Sequence, residues 1–239
     1  MAEPIRLFVG TDVYQRAAGA ERVIENSLKR NTKGEVDIVW MRQGSPGWDW
    51  GGQAYSWCTP FSMFRWFIPE YCNWEGRAIY IDADMAILRD LEELWTHPLP
   101  SGAPGAFAGR MSSKADVILW QCDQVPKWKR EPDEVSDIGI YEGRQARVRK
   151  MGAEALYKRY LPQYWDCRDV VKHEGPERTG ILHWTKLATQ PYHPYKHAYP
   201  YDIPHACPEA CAVFWDYLGM SEEEWAVHPD RIPVETAPA

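Results

Sequence analysis

The start of the chain alternates between strand-like and helix-like hydrophobic patterns. Residues 5–9 form an apolar run that ends at Gly10, and residues 36–41 form a second run of the same kind. Between them, residues 17–30 place small and apolar side chains at helical spacing, with charged side chains on the opposite side. A helix that joins two buried strands predicts a parallel sheet with helical crossovers.

A short aromatic segment follows a glycine-rich loop at residues 44–52. Thr59 is a typical helix N-cap and Pro60 suits the first helical position, so residues 61–67 are predicted to form a helix that ends at Pro69. Arg65 is the only cation within residues 61–67. Its side chain is expected either to face solvent or to point from a buried helix toward an anionic ligand.

Two carboxylates interrupt the next apolar stretch. Residues 77–81 have strand character, and Asp82 and Asp84 lie between this run and the apolar residues 85–88. An unpaired buried charge costs several kcal/mol, so a cationic group is expected to compensate these side chains. In an extended chain, residues two apart point to the same side, so both carboxylates can face one ion across Ala83. The alternative is a pair of capping carboxylates at a strand end.

A divalent cation at this position has a clear chemical use. Carboxylate oxygens bind hard divalent ions, and such an ion can bridge the protein to a diphosphate. The ion also neutralises the charge that develops on a departing nucleoside diphosphate. The pattern therefore indicates a metal site that serves group transfer from a nucleotide.

The second half of the chain has a weaker pattern. Residues 117–120 and 180–184 have strand character, and the latter run carries His183 close to its end. Residues 125–139 are predicted to form a charged loop and residues 145–160 an amphipathic helix. No internal repeat or low-complexity tract is present.

Composition limits the classes of function. The 239 residues are 45% apolar and 26% charged, which is typical of one globular domain. A net charge of −7, with both signs mixed along the chain, argues against nucleic acid as a partner. No basic leader is evident and no stretch approaches about 18 consecutive apolar residues, so we expect no integral membrane segment and a cytoplasmic location.

The six cysteines are scattered, and the cytosol would keep them reduced. Most are therefore expected to be core residues. Cys207 and Cys211, with His205 and His197 nearby, leave zinc binding open, although a helical turn with buried thiols is favoured.

Several ordered segments resemble glycosyltransferase family 8, a family of retaining enzymes that includes lipopolysaccharide galactosyltransferases and glycogenin. The separation of Arg65 from Asp82 is also similar to the spacing in that family. The resembling segments are residues 7–14, 64–71, 77–88 with the Asp-x-Asp pair, 90–95 and 182–184.

The resemblance implies an α/β protein with the GT-A fold, a Rossmann-like, mostly parallel mixed sheet flanked by helices in a single domain over residues 1–239. Residues 1–100 would form the part that binds nucleotide and metal. Residues 101–239 would form the part that binds sugar and acceptor, including the loop after His183.

The resemblance also implies roles for individual residues. Arg65 would contact the donor, and the ion would be Mn²⁺ or Mg²⁺, since both imidazole and carboxylate are acceptable to manganese. The implied nucleoside pocket consists of Thr11, Asp12 and Tyr14; the implied ribose contacts are Asp82 and Ala83; and the implied metal ligands are Asp82, Asp84 and His183.

The chain also departs from the family pattern. Lys186 stands where the family has a glycine, and Gln190 precedes Pro191 in place of a lysine. Lys186 either neutralises the diphosphate or is a solvated surface residue. Asp116 and Asp137 are the candidates for contacting the transferred sugar or stabilising its cationic centre, with turn residues as the alternative.

The function expected from the resemblance is retaining transfer of a hexose from a nucleotide-sugar, with UDP favoured over GDP, to a carbohydrate or glycolipid acceptor. One alternative is a sugar nucleotidyltransferase, which normally needs a glycine-rich basic loop that the chain lacks after residues 5–9. Another is a non-catalytic carbohydrate- or nucleotide-binding protein on a degenerate GT-A fold.

Overall fold

A computed structural model describes residues 3–12, 14–42, 45–46, 48, 61, 64–108, 115–127, 161–193 and 203–230, with the side chains of residues 14–16 outside the described part. The chain divides into two compact units. The first comprises Met1–Asp12, Gly34–Asp82 and Glu92–Gln163, and the second comprises Val13–Lys33, Ala83–Leu91 and Tyr164–Ala239. The single domain, and its functional division at residue 100, stay predictions.

The described residues form eight strands, five α-helices and four 3₁₀ turns. The strands are β1 Ile5–Thr11, β2 Val36–Arg42, β3 Arg77–Asp82, β4 Met85–Ile87, β5 Gly105–Ala108, β6 Val117–Gln121, β7 Cys167–Arg168 and β8 Ile181–His183. The helices are α1 Tyr14–Asn31, α2 Ile68–Tyr71, α3 Glu92–Trp95, α4 Pro208–Leu218 and α5 Glu222–Ala226. The 3₁₀ turns are Phe64–Trp66, Cys122–Gln124, Gln163–Asp166 and Leu187–Thr189.

The first unit contains a five-stranded mixed sheet in the order β2-β1-β3-β6-β5. Strands β2, β1 and β3 run parallel, whereas β6 is antiparallel to β3 and β5 is antiparallel to β6. The register pairs Gly10 of β1 with Asp82 of β3, so both strands end at the same edge of the sheet. Because β6 runs the opposite way, Asp116 at its start lies toward this edge. Polar residues that adjoin these apolar strands therefore lie at the same edge of the sheet.

An aromatic core supports this sheet. Strands β1 and β3 contribute Phe8 and Tyr80, and β6 contributes Trp120, all at most 1% exposed. Trp66, from the 3₁₀ turn before α2, packs edge-on against Trp120 with ring centroids 5.9 Å apart. Large buried aromatic side chains contribute much of the apolar area that stabilises a fold. They also hold Arg65, the central residue of that turn, in place.

The second unit contains a three-stranded sheet in the order β4-β8-β7. Strand β4 pairs antiparallel with β8, which places Met85 opposite His183, and β7 pairs parallel with β8, which places Arg168 opposite His183. His183 therefore ends a central strand with a neighbour on each side.

Helices α1 and α4 pack in the core of the second unit. Trp184 and Tyr192 contact Phe214 of α4, with ring centroids 5.3 and 5.7 Å away. Helix α1 is tied to β4 by Asn31, which donates to the Ile87 carbonyl at 2.9 Å, and by Ser27, which accepts from the Ile87 N–H at 3.1 Å. Apolar packing and satisfied backbone groups together position the residues that lead into and out of β8.

The structure confirms the mixed α/β class and the strands predicted near residues 5–9, 36–41, 77–81 and 117–120. The predicted end of a helix at Pro69 is wrong: Phe64–Trp66 form a 3₁₀ turn, and α2 begins at Ile68 with Pro69 in its first turn. A first-turn residue needs no intrahelical N–H, so proline is accepted there. The helix predicted at 145–160 and most of the loops predicted at 44–52 and 125–139 lie outside the described residues.

The expectations about membrane segments and about the cysteines can be compared with the described residues. Within them, no helix is both long and apolar enough to cross a bilayer. Cys72, Cys122, Cys167, Cys207 and Cys211 are free thiols. Cys211 lies in α4 and Cys207 directly precedes it, as predicted, but both residues are half-buried, so the expectation of buried thiols is wrong for this pair. In the described part of the chain, neither belongs to a group of side chains close enough to share an ion.

Candidate active site

In the first unit, Arg65 is buried between two carboxylates. Its Nη2 lies 3.0 Å from Asp82 Oδ1 and 3.3 Å from Oδ2, and its Nη1 lies 3.4 Å from Asp116 Oδ1. Nη1 also donates to the Ala115 carbonyl, and the guanidinium lies 4.6 Å from the centre of the Tyr80 ring. Arg65 is 6% exposed, so the solvent-facing alternative is wrong. Its charge compensates Asp82 and Asp116, which are also buried.

Tyr80 adds a neutral donor to this cluster. Its hydroxyl donates to Asp82 Oδ1. Burial raises the pKa of Tyr80 well above its ordinary value, and the Asp82 charge adds to this, although Arg65 acts in the opposite direction. The phenol therefore stays protonated at neutral pH and holds one oxygen of Asp82.

The structure describes two of the three remaining candidate site residues of the first unit. Thr11 ends β1 and Asp12 follows it, and both are buried at the sheet edge that also carries Asp82. Asp137 lies outside the described residues, so its proposed sugar contact stays a prediction. Thr11 and Asp12 lie where strand-end crevices of α/β proteins bind nucleotides.

The other candidates belong to the second unit. Tyr14 begins α1, and its side chain lies outside the described part. Ala83 is buried beside Asp84, whereas Lys186 is exposed, just before the 3₁₀ turn Leu187–Thr189. The roles proposed for Tyr14, Ala83 and Lys186 in nucleotide binding stay predictions.

In the second unit, His183 is flanked by two carboxylates. Its Nδ1 lies 2.9 Å from Asp166 Oδ1, and its Nε2 lies 3.4 Å from Asp84 Oδ1. His183 is 5% exposed and the Asp166 side chain is fully buried. His183 Nε2 and the Asp84 carboxylate lie on the side of the ring away from Asp166, and an imidazole beside a carboxylate is a combination that can bind a metal ion.

The flanking charges control the ionisation of this group. Burial by itself lowers the pKa of His183, but the Asp84 charge and the hydrogen bond with Asp166 outweigh it and raise the pKa well above its ordinary value. Burial likewise opposes ionisation of Asp166, yet His183 and Arg168 lower the pKa of that carboxyl. Without a metal, these charges favour the doubly protonated form of His183, and a bound cation would have to replace the proton on Nε2.

Gln190 holds the Asp84 carboxylate. Its Nε2 donates to Asp84 Oδ2 at 2.7 Å and to the Trp184 carbonyl at 2.6 Å. The opposite oxygen, Asp84 Oδ1, is buried and makes no hydrogen bond of normal geometry among the described residues; it faces His183 Nε2 at 3.4 Å, whose proton a bound cation would replace. A buried carboxylate oxygen without a donor is costly unless a cation satisfies it. The donor set and this orphaned oxygen fit a divalent metal.

Sequence patterns missed two side chains of the second unit that contact candidate metal ligands. Asp166 follows Tyr164 and Trp165, and a carboxylate inside an aromatic segment is the same signal that singled out Asp82 and Asp84. Its contact with His183 joins residues 17 positions apart, which no local pattern reports. Gln190 stood out only as a departure from the family, and its bond to Asp84 comes from the structure.

Comparison with known proteins gives a limited sequence relationship. No family model matches the chain. The chain is 30% identical over 95 residues to Protein CDI of Arabidopsis thaliana, a match that spans 38% of this chain and 36% of that protein.

Solved structures show a wider similarity. The bifunctional glycosyltransferase WbbM matches 94% of this chain with a TM-score of 0.57 and 12% identity, and GlyE of Streptococcus pneumoniae TIGR4 matches 98% with a TM-score of 0.57 and 16% identity. The chain spans 51% of WbbM and 66% of GlyE. The galactosyltransferase LgtC, solved with donor and acceptor sugar analogs, matches 92% of this chain with a TM-score of 0.54 and 12% identity over 98% of its own length. The chain has the mixed α/β fold of GT-A glycosyltransferases.

Proposed function

We propose that the chain is a metal-dependent glycosyltransferase of the family 8 type, which transfers a hexose from a UDP-sugar to the hydroxyl of a carbohydrate or glycolipid with retained configuration. The observation that carries the proposal is the orphaned Asp84 Oδ1, buried 3.4 Å from His183 Nε2. The fold shared with glycosyltransferases and the resemblance to family 8 supply the reaction class. The cytoplasmic location is part of the proposal.

Asp82, Asp84 and His183 are the proposed ligands of Mn²⁺ or Mg²⁺. Asp84 and His183 already lie together in the second unit. Asp82 precedes Asp84 by two residues, so chain connectivity alone keeps their Cα atoms within about 7 Å. The bound ion would neutralise the charge that develops on the departing nucleoside diphosphate.

The remaining candidate side chains of the first unit have proposed roles as well. Arg65 compensates Asp82 and Asp116, and it contributes positive charge on the donor side. Asp116 is the proposed carboxylate beside the transferred sugar, where its negative charge would stabilise the cationic sugar centre. Thr11 and Asp12 are proposed to contact the nucleoside.

Replacing Asp84 tests the metal role. Asp84→Asn removes the charge of one ligand, and metal-assisted stabilisation is worth several kcal/mol. We therefore expect the Mn²⁺-dependent release of UDP from UDP-sugars to fall by about 100-fold or more, since each 1.36 kcal/mol is tenfold in rate. Asp37→Asn, which removes the same charge from an exposed site on β2, is the matched control and should keep wild-type turnover. Unchanged turnover in Asp84→Asn would contradict the proposal.

A non-catalytic nucleotide- or carbohydrate-binding protein is the second candidate. It is favoured by Gln190, which stands where the family has a lysine and gives both hydrogens of its amide to Asp84 and Trp184. Calorimetric titration with a panel of nucleoside diphosphates, with and without Mn²⁺, identifies the base and the metal requirement. Metal-dependent binding without any release of UDP from UDP-sugars would select this second candidate.

A further inference from the structure

The buried carboxylate of Asp166 accepts hydrogen bonds from two side chains of the second unit. Its Oδ1 accepts from His183 Nδ1 at 2.9 Å, and its Oδ2 accepts from Arg168 Nε at 3.0 Å. The side chain has no solvent exposure. A carboxylate held at both oxygens, deep in the fold, has little freedom to turn.

The backbone around Asp166 is held equally firmly. The residue ends the 3₁₀ turn Gln163–Asp166, next to β7, and β7 pairs with β8 so that Arg168 lies opposite His183. The Asp169 N–H donates to the His183 carbonyl at 2.9 Å, and the Gly180 N–H donates to the Tyr164 carbonyl at 2.8 Å. Sheet pairing on one side and a turn contact on the other thus hold the carboxylate against the imidazole.

This geometry selects one tautomer of a neutral His183. The bond to Asp166 is shorter than the approach to Asp84, at 2.9 against 3.4 Å, and Asp166 is the more deeply buried partner. The single ring proton therefore belongs on Nδ1, where Asp166 accepts it. The lone pair of Nε2 then faces Asp84 Oδ1, on the side of the proposed metal.

We propose that Asp166 is a positioning residue, which orients His183 and keeps its proton on Nδ1 so that Nε2 is available as a metal ligand. Histidines that ligate metals usually donate their other N–H to such a partner, and loss of the partner costs about 10- to 100-fold in metal affinity. The metal part of this inference rests on the proposed function. The tautomer is a property of the metal-free chain.

Arg168 makes Asp166→Asn a sharp test. Its Nε–H can only donate, so an asparagine at 166 must turn its amide oxygen toward Arg168. The amide NH₂ then faces His183 Nδ1, which must become an acceptor, and the ring proton moves to Nε2. The substitution is nearly isosteric, yet it should block the nitrogen that faces Asp84.

A double variant distinguishes positioning from simple structural support. In Asp166→Asn with Arg168→Ala, the Arg168 donor no longer draws the amide oxygen toward itself, so the amide can present that oxygen to His183 Nδ1 again. If Asp166 positions His183, the double variant should therefore recover the Nδ1 proton and the Mn²⁺ affinity that Asp166→Asn loses. A merely structural role predicts that the second substitution adds to the damage. Arg168→Ala alone is the control, and circular dichroism checks that each variant is folded.

The first readout needs no metal. Nitrogen-15 NMR of histidine-labelled protein, raised in pH until the His183 ring is neutral, separates the two tautomers, with His183→Gln identifying the signals. We expect the proton on Nδ1 in the wild type and in the double variant, and on Nε2 in Asp166→Asn. A wild-type ring protonated on Nε2 would overturn the proposal without reference to any variant.

The second readout is Mn²⁺ affinity at neutral pH, measured from the electron paramagnetic resonance of the free ion. We expect a loss of about 10- to 100-fold in Asp166→Asn and substantial recovery in the double variant. Equal or greater loss in the double variant would overturn the positioning role. If the wild type bound no Mn²⁺, the proposed function would fail, whereas the tautomer measurement would still decide the role of Asp166.

Discussion

At the scale of single residues, two clusters of charge in the described part of the chain combine groups of opposite sign. Arg65 neutralises Asp82 and Asp116 in the first unit, and His183 lies between Asp84 and Asp166 in the second. A buried charge that loses its partner typically destabilises a protein by about 3–5 kcal/mol. The carboxylates are thus tolerated in apolar surroundings because cations accompany them.

Stability of the metal-free protein should fall with rising pH because of His183. The folded state raises the pKa of this buried ring, so its stabilising proton is fully bound below the unfolded value of about 6.5 and is lost as the pH rises through the folded pKa. Between those limits, the free energy of unfolding should decrease by up to about 1.4 kcal/mol per pH unit.

Urea denaturation in the presence of a chelator, from about pH 6 to about pH 9, measures this dependence. His183→Gln should be less stable at the acidic end and should show a flatter profile. Parallel profiles for the wild type and the variant would mean that His183 does not bind its proton more tightly in the folded chain.

At the scale of elements, short backbone segments carry the site. Strand β8 contains only Ile181–His183, and the turn Gln163–Asp166 brings Asp166 to it. A Cβ atom at Gly180 would lie 2.7 Å from a ring carbon of Trp165 and 3.1 Å from the Tyr164 carbonyl oxygen. Trp165 is 1% exposed and cannot easily move, so glycine is required where these two segments meet.

Gly180→Ala should therefore destabilise the protein by about 1–3 kcal/mol, the usual cost of overpacking a core. Because the displaced turn carries Asp166, the variant should also weaken Mn²⁺ binding. Thermal denaturation and Mn²⁺ titration measure the two effects.

Ser221→Ala is a suitable control for the Gly180 variant. It removes the capping box with Glu224 at the start of α5 and should cost about 1 kcal/mol. It should leave Mn²⁺ affinity unchanged, since it does not touch the elements that hold His183. If both variants lost Mn²⁺ affinity in proportion to their stability, the local explanation for Gly180 would be wrong.

Local pattern predicted most elements well, because strand and helix periodicities depend on neighbours along the chain. Helix α1 and strands β1, β2, β3 and β6 lie close to their predicted positions. The prediction for the aromatic segment around Arg65 was wrong, since Pro69 lies in the first turn of α2 instead of ending a helix. Proline is compatible with both positions, and only the packing of Phe64 and Trp66 in the core determines which one is used.

At the scale of the whole molecule, ligand binding should appear as added stability. A ligand that binds only the folded protein stabilises it by about 2.7 kcal/mol at a concentration of 100 times its Kd. Mn²⁺ with UDP should therefore raise the melting temperature of the wild type. Asp84→Asn should show little of this increase, whereas Asp37→Asn should show all of it. An equal increase in all three proteins would place the binding site away from Asp84.

The sequence by itself determined most of the strands, the first helix, the acidic pair at Asp82 and Asp84, and the resemblance that pointed to His183. These features are encoded in periodicity and in residues close together along the chain. Only the tertiary structure decided that Arg65 meets Asp116 and that His183 meets Asp166, 51 and 17 positions apart. Such contacts depend on how strands pair and how side chains fill a core, and the free energy of that packing is shared among residues that no local pattern connects.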